Sequence, residues 1–340
     1  MPHTAPQSSM RGMAIIDGGL QLIAAPIPVP QPGHVLIQIA YAGVNRADLL
    51  QVAGKYPPPE GASALPGLEV SGIVAALGEG VTDWRVGERV CALLSGGGYA
   101  EFASAPEGLC LKIPQAIDLQ QAATLPEAVM TAMMALGAEA NLQPGERVLI
   151  HGGSSGIGLV MGQVAMLWGA EVFATVGSDE KAAYVSQLGI HPINHALSPF
   201  LEQVMAATRG DGVDVIIDTL GAPKLSAHLQ LLKRGGRIVM LAMLEGGTLP
   251  EATKLGALLL KHLQLRGTTL RSRNDIEKHA LMEGVSARIW PYVASGALKP
   301  RVDSIFPLAE AEKAHLRMQE RLHIGKILLE VAPHAARTDE

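Results

Sequence analysis

Arg147-Val-Leu-Ile-His151-Gly152-Gly153-Ser154-Ser155-Gly156-Ile157-Gly158 is the stretch on which the fold turns. A short apolar run closes on a glycine-rich turn, and residues 156–169 follow with apolar side chains nearly all round. The spacing predicts strand, turn and helix in succession. Glycines let a backbone come close to a bulky anion, and the first N–H groups of a helix have no intrahelical acceptor, so such a turn suits a phosphate. Further along, 171–176, 213–218, 237–241 and 263–267 read as strands and 179–188 as a helix, with helical segments between. Near-continuous apolar strands alternating with helices predict a doubly wound parallel sheet, covered on both faces.

The flanks follow different rules. Residues 34–40, after the turn Gln31-Pro32-Gly33, form a strand, as do 70–77 and 89–94, and glycine pairs separate them. This reads as a compact, mostly antiparallel β domain of partial barrel character. Beyond about residue 270 the alternation stops: 275–294 reads as helix, 299–306 as strand, 308–322 as helix and 326–331 as a last strand. The expected division is therefore 11–126 plus 270–332 for the β-rich domain, 127–269 for the parallel sheet, and tails at 1–10 and 333–340.

Composition narrows the function classes. Of 340 residues 48% are apolar, enough for two cores, while 17% are charged and 4% aromatic. A net charge of −5 argues against a broad nucleic-acid surface, and none is expected. Two cysteines, Cys91 and Cys110, exclude a disulfide framework and any multi-cysteine zinc site. The first ten residues lack the pattern of a secretory signal, and 255–265, the most apolar helical stretch, is interrupted by Lys261 and His262. The expected setting is cytoplasmic, without membrane association.

Three patterns compete for the turn. Gly152-Gly153-Ser154-Ser155-Gly156 matches the nucleophile elbow of a serine hydrolase with Ser154 at its centre, but Gly158 and the strand–helix unit beyond it serve dinucleotide binding instead. Ser154-Ser155-Gly156-Ile157-Gly158 also matches a short-chain dehydrogenase fingerprint, which needs a lysine four places after a tyrosine to lower the phenol's pKa. None of Tyr41, Tyr56, Tyr99, Tyr184 and Tyr292 has one. A medium-chain reductase, with a β-rich domain before the nucleotide domain and a return after it, fits the layout. A turn that merely packs a helix is the plainest alternative.

The end of the second strand indicates the cofactor. NAD-binding sheets carry a carboxylate there, about 20 residues past the turn, for the ribose 2′-hydroxyl. Here the strand ends Ala174-Thr175-Val176-Gly177-Ser178, with no acid at the tip. Ser178 can hydrogen-bond a 2′-phosphate and Lys181 can pair with it, which favours NADPH. Asp179 and Glu180 follow as first-turn acids of the next helix, favourable with its dipole.

The chain resembles the zinc-independent quinone oxidoreductases of the medium-chain dehydrogenase/reductase superfamily, especially the branch of the stress-inducible animal quinone reductase. The resemblance runs from about residue 11 to 332 and is carried by Asn45-Arg-Ala-Asp-Leu49, Gly54-Lys-Tyr-Pro-Pro-Pro59, Gly67-Leu-Glu-Val-Ser-Gly72, Leu93-Leu-Ser-Gly-Gly-Gly98 and Leu125-Pro-Glu127. Gly235-Gly-Arg237, Leu270-Arg-Ser-Arg273 and Ile324-Gly-Lys326 complete it. It implies a six-stranded Rossmann sheet inserted in a GroES-like domain. Zinc-dependent members place ligands where Asn45, Leu68 and Pro126-Glu127 stand here, so no metal is expected.

For the site, the resemblance implies that Thr131, Ser155, Gly156 and Ile157 meet the pyrophosphate and nicotinamide ribose. Gly177, Ser178, Lys181 and His195 surround the 2′-phosphate, and Thr219, Met243, Leu244, Leu270 and Arg271 line the nicotinamide end. His195 stands where relatives often have tyrosine. Asn45, also as a cofactor contact, and Tyr56 are the polar residues expected nearest the transferred hydride, although a turn asparagine and a loop tyrosine are the bland readings. The expected reaction is direct hydride transfer from NADPH to a quinone or activated enone in an interdomain cleft. Alkenal or enoyl-thioester double-bond reduction, a hydrolase using Ser154, and a non-catalytic NADPH-binding partner protein are the alternatives. A homodimer is expected, with the strand at 237–241 and the segment after it extending the sheet.

Overall fold

The computed structural model describes residues 9–251 and 253–331. The expected tails therefore lie outside the described residues except for Ser9 and Met10, which are not tail at all: they pair with Pro26 and Ala25 in the first hairpin. In chain order the strands are β1 (Ser9–Ile16), β2 (Gly19–Pro26), β3 (His34–Gly43), β4 (Glu69–Leu77), β5 (Arg89–Leu93), β6 (Phe102–Pro106), β7 (Cys110–Lys112), β8 (Arg147–Ile150), β9 (Glu171–Val176), β10 (His191–Asn194), β11 (Val213–Asp218), β12 (Leu232–Met240), β13 (Gln264–Gly267), β14 (Val302–Pro307) and β15 (Lys326–Glu330). They fall into two compact units, one of residues up to Glu127 and from Trp290 onward, the other Ala128–Ile289.

In the first unit β3 is the hub. It pairs antiparallel with β4 along one edge and with β6 and β15 along the other, in the order β14-β15-β3-β4-β5-β7. Val35, Ile37 and Ile39 alternate inward along β3 and meet Val70, Val74, Val90, Ile327 and Leu329 in one core, the two-residue period of a strand. The separate β1–β2 hairpin turns at Asp17 (φ 51°) and Gly18 (φ 77°), and positive φ at both turn residues matches the twist of the paired strands.

In the second unit six strands run parallel in the order β10-β9-β8-β11-β12-β13. The order reverses at β8, so β9 and β11 flank it and a crevice opens beyond its carboxyl end, where open α/β sheets bind ligands. Leu149, Phe173, Ile216 and Ile238 lie level across four strands and, with Ile193 two residues further along β10, pack under Phe200, Val204, Leu225 and Leu229 of the covering helices. Burying one side chain of the size of Phe173 is worth about 1.5–3 kcal/mol.

Several expectations are corrected. The helix expected over 275–294 is two, Asp275–Arg288 and Trp290–Ala294, because Pro291 cannot donate the next helical bond. The helix expected from Leu308 begins as a single tight turn, Leu308–Glu310, before Ala311–Gln319. Residues 270–289 group with the parallel sheet, where Arg273 pairs with Glu139 at 2.5 Å and Trp168 Nε1 donates to the Arg288 carbonyl at 3.3 Å. The strand around 237–241 has no open edge, because β12 is paired with β11 on one side and β13 on the other. The edge strand next to it is β13, all of whose residues are exposed; β10 is the opposite edge.

Candidate functional site

The turn begins where β8 ends. Gly152 has φ 71°, a conformation that side chains resist, and its N–H donates to Thr175 Oγ1 at 3.1 Å. Ser155 caps the following helix, Gly156–Leu167, by accepting from the Gly158 N–H at 3.0 Å. A side chain at Gly158 would press into the Gly152 carbonyl, so this helix packs against its own turn only with glycine there. Gly156 and Ile157 hold the first two helical positions, where N–H groups have no intrahelical acceptor and the helix dipole is positive.

The end of β9 lies alongside. Ser178 caps the helix Asp179–Gln187, with its Oγ 3.3 Å from the Lys181 N–H. Lys181 is half-buried one turn in, and Glu180 is exposed. A Cβ on Gly177 would lie 3.5 Å from the His195 ring, so Gly177 and His195 border one exposed corner past β9 and β10, with Ser178 next to Gly177 in the chain. Asp179, exposed beside them, is tied to the end of β10: its Oδ1 accepts from Asn194 Nδ2 at 2.7 Å.

The other cofactor candidates follow the remaining strand ends. Thr219, half-buried just past β11, has its Oγ1 3.9 Å from where a Gly152 Cβ would be, and its carbonyl accepts from the Leu244 N–H at 3.0 Å. Met243 and Leu244 follow β12 and are exposed apolar residues, 57% and 44% accessible. Leu270 and Arg271 follow β13 and are buried, as is Thr131 on the helix Pro126–Ala132. All of these except Thr131 therefore stand just beyond the carboxyl ends of the sheet.

Asn45 and Tyr56 belong to the first unit. Asn45 is 4% exposed and sits in a polar network. Its Nδ2 donates to Glu69 Oε1 at 2.9 Å and toward the Gly43 carbonyl at 3.3 Å, while Lys326 Nζ donates to its Oδ1. Lys326 also pairs with Glu69, whose other oxygen accepts the Glu127 backbone N–H at 2.9 Å. An amide has two donors and two acceptor lone pairs. Both donors of Asn45 are taken within the described residues, and its Oδ1, which accepts from Lys326, also faces the Asp48 N–H in a capping box. Asn45 therefore has no donor left for a ligand.

The network continues through Asp48, which accepts from the Asn45 N–H at 2.7 Å, the Gly67 N–H at 3.1 Å and Tyr99 Oη at 3.2 Å. Burial outweighs these donors and raises the Asp48 carboxyl to about 6. Asp48 therefore pairs with Tyr99 and backbone rather than with Arg46, which is exposed two residues away on the same short helix. Tyr99 Oη lies 3.1 Å from His315 Nε2, and burial takes that ring down to about 4. Tyr56 is half-buried on the loop after the helix Arg46–Val52.

Sequence reasoning missed Lys326 and the cluster beneath the turn. His151, His228 and Asp218 are all buried, and His151 Nε2 lies 2.9 Å from His228 Nε2. An isolated lysine at the head of a strand and a histidine on a seven-residue helix carry no local signal; only the fold brings their partners to them. Ser154, the centre of the elbow pattern, is buried, and among the described residues no hydrogen bond joins its hydroxyl to a histidine. The arrangement needed to activate a serine is absent there.

Comparison with known proteins agrees with this architecture. The family described as "Alcohol dehydrogenase GroES-like domain" matches residues 31–115, and "Zinc-binding dehydrogenase" matches 156–284. The quinone oxidoreductase of Rattus norvegicus is 32% identical over 335 residues, 95% of this chain and 98% of that protein. A solved quinone oxidoreductase of Pseudomonas syringae superposes with a TM-score of 0.82 at 27% identity, covering 95% of this chain and 100% of that one. The CurK enoyl reductase has the same TM-score and identity, with 95% and 99% covered. The chain belongs to the medium-chain dehydrogenase/reductase superfamily, among its quinone oxidoreductase-like members, and is an oxidoreductase.

Proposed function

We propose that this member of the superfamily is an NADPH-dependent quinone reductase that delivers hydride directly to a quinone or activated enone without a metal. The observation that carries the reading is the corner past β9, where Ser178 caps the next helix, Lys181 follows one turn in and Asp179 is tied to Asn194. A carboxylate left in that corner would favour a ribose hydroxyl; a serine and a lysine favour a phosphate.

NADPH, when bound, supplies the hydride. The residues present fit it: the Gly156 and Ile157 N–H groups would meet the pyrophosphate, and Gly177, Ser178, Lys181 and His195 would hold the 2′-phosphate. Thr131, Ser155, Thr219, Met243, Leu244, Leu270 and Arg271 border the rest of the cofactor, the apolar members keeping water from the nicotinamide. Asn45 would meet the nicotinamide ribose through Oδ1, its donors being taken, and the Tyr56 ring offers a face to a flat acceptor. The protein's part is positioning and exclusion of water. Protonation of the product is left to water.

The metal-free reading rests on the residues at the positions of the zinc ligands. Asn45 and Glu127 meet around Glu69, beside Leu68, and Lys326 supplies a fixed positive charge there. Without a Lewis acid an alkoxide is poorly stabilised, whereas a quinone or enone spreads the incoming charge itself.

The likeness to an enoyl reductase favours a second reading, reduction of an alkenal or enoyl-thioester double bond. Oxidation of NADPH against a panel of quinones, enones and enoyl thioesters, with NADH in parallel, separates the two. Turnover with none of them would leave a non-catalytic NADPH-binding protein.

A homodimer through β13 goes with this reading, since the edge lies beside Leu259 and Leu260, 82% and 78% exposed. Sedimentation of a Leu259→Glu, Leu260→Glu variant as a stable dimer would count against that face. A cytoplasmic setting accords with two buried, unbonded cysteines, Cys91 and Cys110. Among the described residues no helix is long and apolar enough to cross a membrane.

A further inference from the structure

A line of polar groups runs beneath the glycine turn. The Gly152 N–H donates to Thr175 Oγ1 at 3.1 Å, and that oxygen lies 3.2 Å from His151 Nδ1. His151 Nε2 meets His228 Nε2 at 2.9 Å, and His228 Nδ1 faces Asp218 Oδ2 at 3.7 Å. Asp218 in turn accepts from the Leu220 N–H at 2.7 Å and the Gly221 N–H at 3.2 Å. Thr175, His151, His228 and Asp218 are all buried.

Two ring nitrogens at hydrogen-bond distance need one proton between them, and the surroundings decide where it sits. Burial and the neighbouring His228 hold His151 well below the usual histidine range, and burial takes His228 down to about 4, so both rings are neutral near pH 7. Asp218 is a pure acceptor when ionised, so the His228 nitrogen facing it carries hydrogen, because a lone pair aimed at a carboxylate is repelled. His228 Nε2 is then the acceptor and His151 Nε2 the donor. His151 Nδ1 is left to accept from the Thr175 hydroxyl, which itself accepts from Gly152. From Gly152 to His228 every donor points the same way, the last of them on His228 Nδ1 aimed at Asp218 across 3.7 Å, and the Leu220 and Gly221 N–H groups donate back to Asp218 from the loop after β11.

The same three residues, His151, Asp218 and His228, also have the spacing of a metal cluster. The relay accounts for them better. The one lone pair of His228 Nε2 is already directed at His151, and Asp218 approaches the ring from its other nitrogen.

We propose that Gly152, Thr175, His151, His228 and Asp218 form a single-direction positioning relay that ties the phosphate-binding turn to the loop carrying Thr219 and so holds the two walls of the cofactor crevice at a fixed separation. This rests on the cofactor reading above. His151 and His228 are positioning residues, since neither reaches the ligand: the Gly152 amide and the Leu220–Gly221 backbone transmit their effect.

The test compares wild type with His228→Gln, whose amide oxygen can accept from His151, and His228→Phe, which keeps a flat ring but accepts nothing. NADPH affinity is read by fluorescence titration below the melting point of each protein. The expected result is about a tenfold rise in Kd for His228→Phe, the size of one unsatisfied buried donor, with His228→Gln near wild type. Equal losses in both variants, or none in His228→Phe, would overturn the relay.

Nitrogen-15 spectra of histidine-labelled protein without cofactor give a second readout, with His228→Gln providing the assignment. The relay requires neutral His151 protonated on Nε2 and neutral His228 protonated on Nδ1; the opposite tautomers would overturn it even if His228→Phe does not fold. Wild type that shows these tautomers but binds no NADPH would refute the cofactor reading and leave the hydrogen-bonded line standing.

Discussion

Asn194 Nδ2 holds Asp179 Oδ1 at 2.7 Å, joining the end of β10 to the first turn of the helix after β9. The bond resolves a conflict that the sequence leaves open. Two acids follow Ser178, and acids at a helix start are favourable for the helix but unfavourable beside a phosphate. With Asp179 tied to Asn194, Ser178 and Lys181 are the groups proposed to meet the phosphate. Asn194→Ala releases that carboxylate, so NADPH should weaken relative to NADH, by up to about fivefold for an exposed charge. Lys181→Ala should act in the same direction and more strongly. Measured Kd ratios for the two cofactors check this, and equal effects on both would remove these residues from phosphate recognition.

The pair Lys326–Glu69 carries charge in a place that water does not reach, and Asn45 shares both partners. Removing one member leaves the other charged and buried, which costs about 3–5 kcal/mol. Lys326→Met and Glu69→Gln should each lower stability by about that amount, and the double variant should lose far less than the sum. Denaturant unfolding measures all three. Strict additivity would mean that the two groups do not depend on each other.

His315 makes stability depend on pH with a defined sign. Its ring is near 4 in the folded protein against 6.5 when free, so between those values the unfolded chain binds the extra proton and the folded chain does not. The contribution is fully present above pH 6.5 and is lost as pH falls toward 4, on the order of 3 kcal/mol at most. Asp48 works against it. Raised from 3.8 to about 6, it stays protonated in the folded state where the unfolded chain would ionise, and that contribution is lost as pH rises through 6. His315→Gln should therefore flatten the fall of Tm on the acid side below pH 6.5. An unchanged slope would show that the ring titrates normally.

Much of the parallel sheet is legible because its signals are local. The runs at 171–176 and 213–218 match β9 and β11 to the residue, and the turn from Gly152 to Gly158 advertises itself. The first unit is less legible. The β1–β2 hairpin has a recognisable Asp17-Gly18 turn, but its strands do not alternate cleanly. The groups that hold the site in place are hardest to see. Lys326 lies 281 residues from Asn45, and His228 lies 77 from His151, so their meeting is a property of topology alone. The candidate residues too acquire their chemistry from such partners: that Asn45 has no donor to spare follows from Glu69 and Gly43.

The central claim is direct hydride transfer from NADPH to an electron-poor acceptor, and stopped-flow oxidation of NADPH carrying deuterium at the transferred position tests it most directly. With quinones and enones in excess, the account predicts rapid single-turnover oxidation, slowed severalfold by the label, with deuterium retained on carbon in a reduced enone. It also predicts much slower oxidation of NADH under the same conditions. No acceptor-dependent oxidation of either cofactor, or preference for NADH, would contradict it.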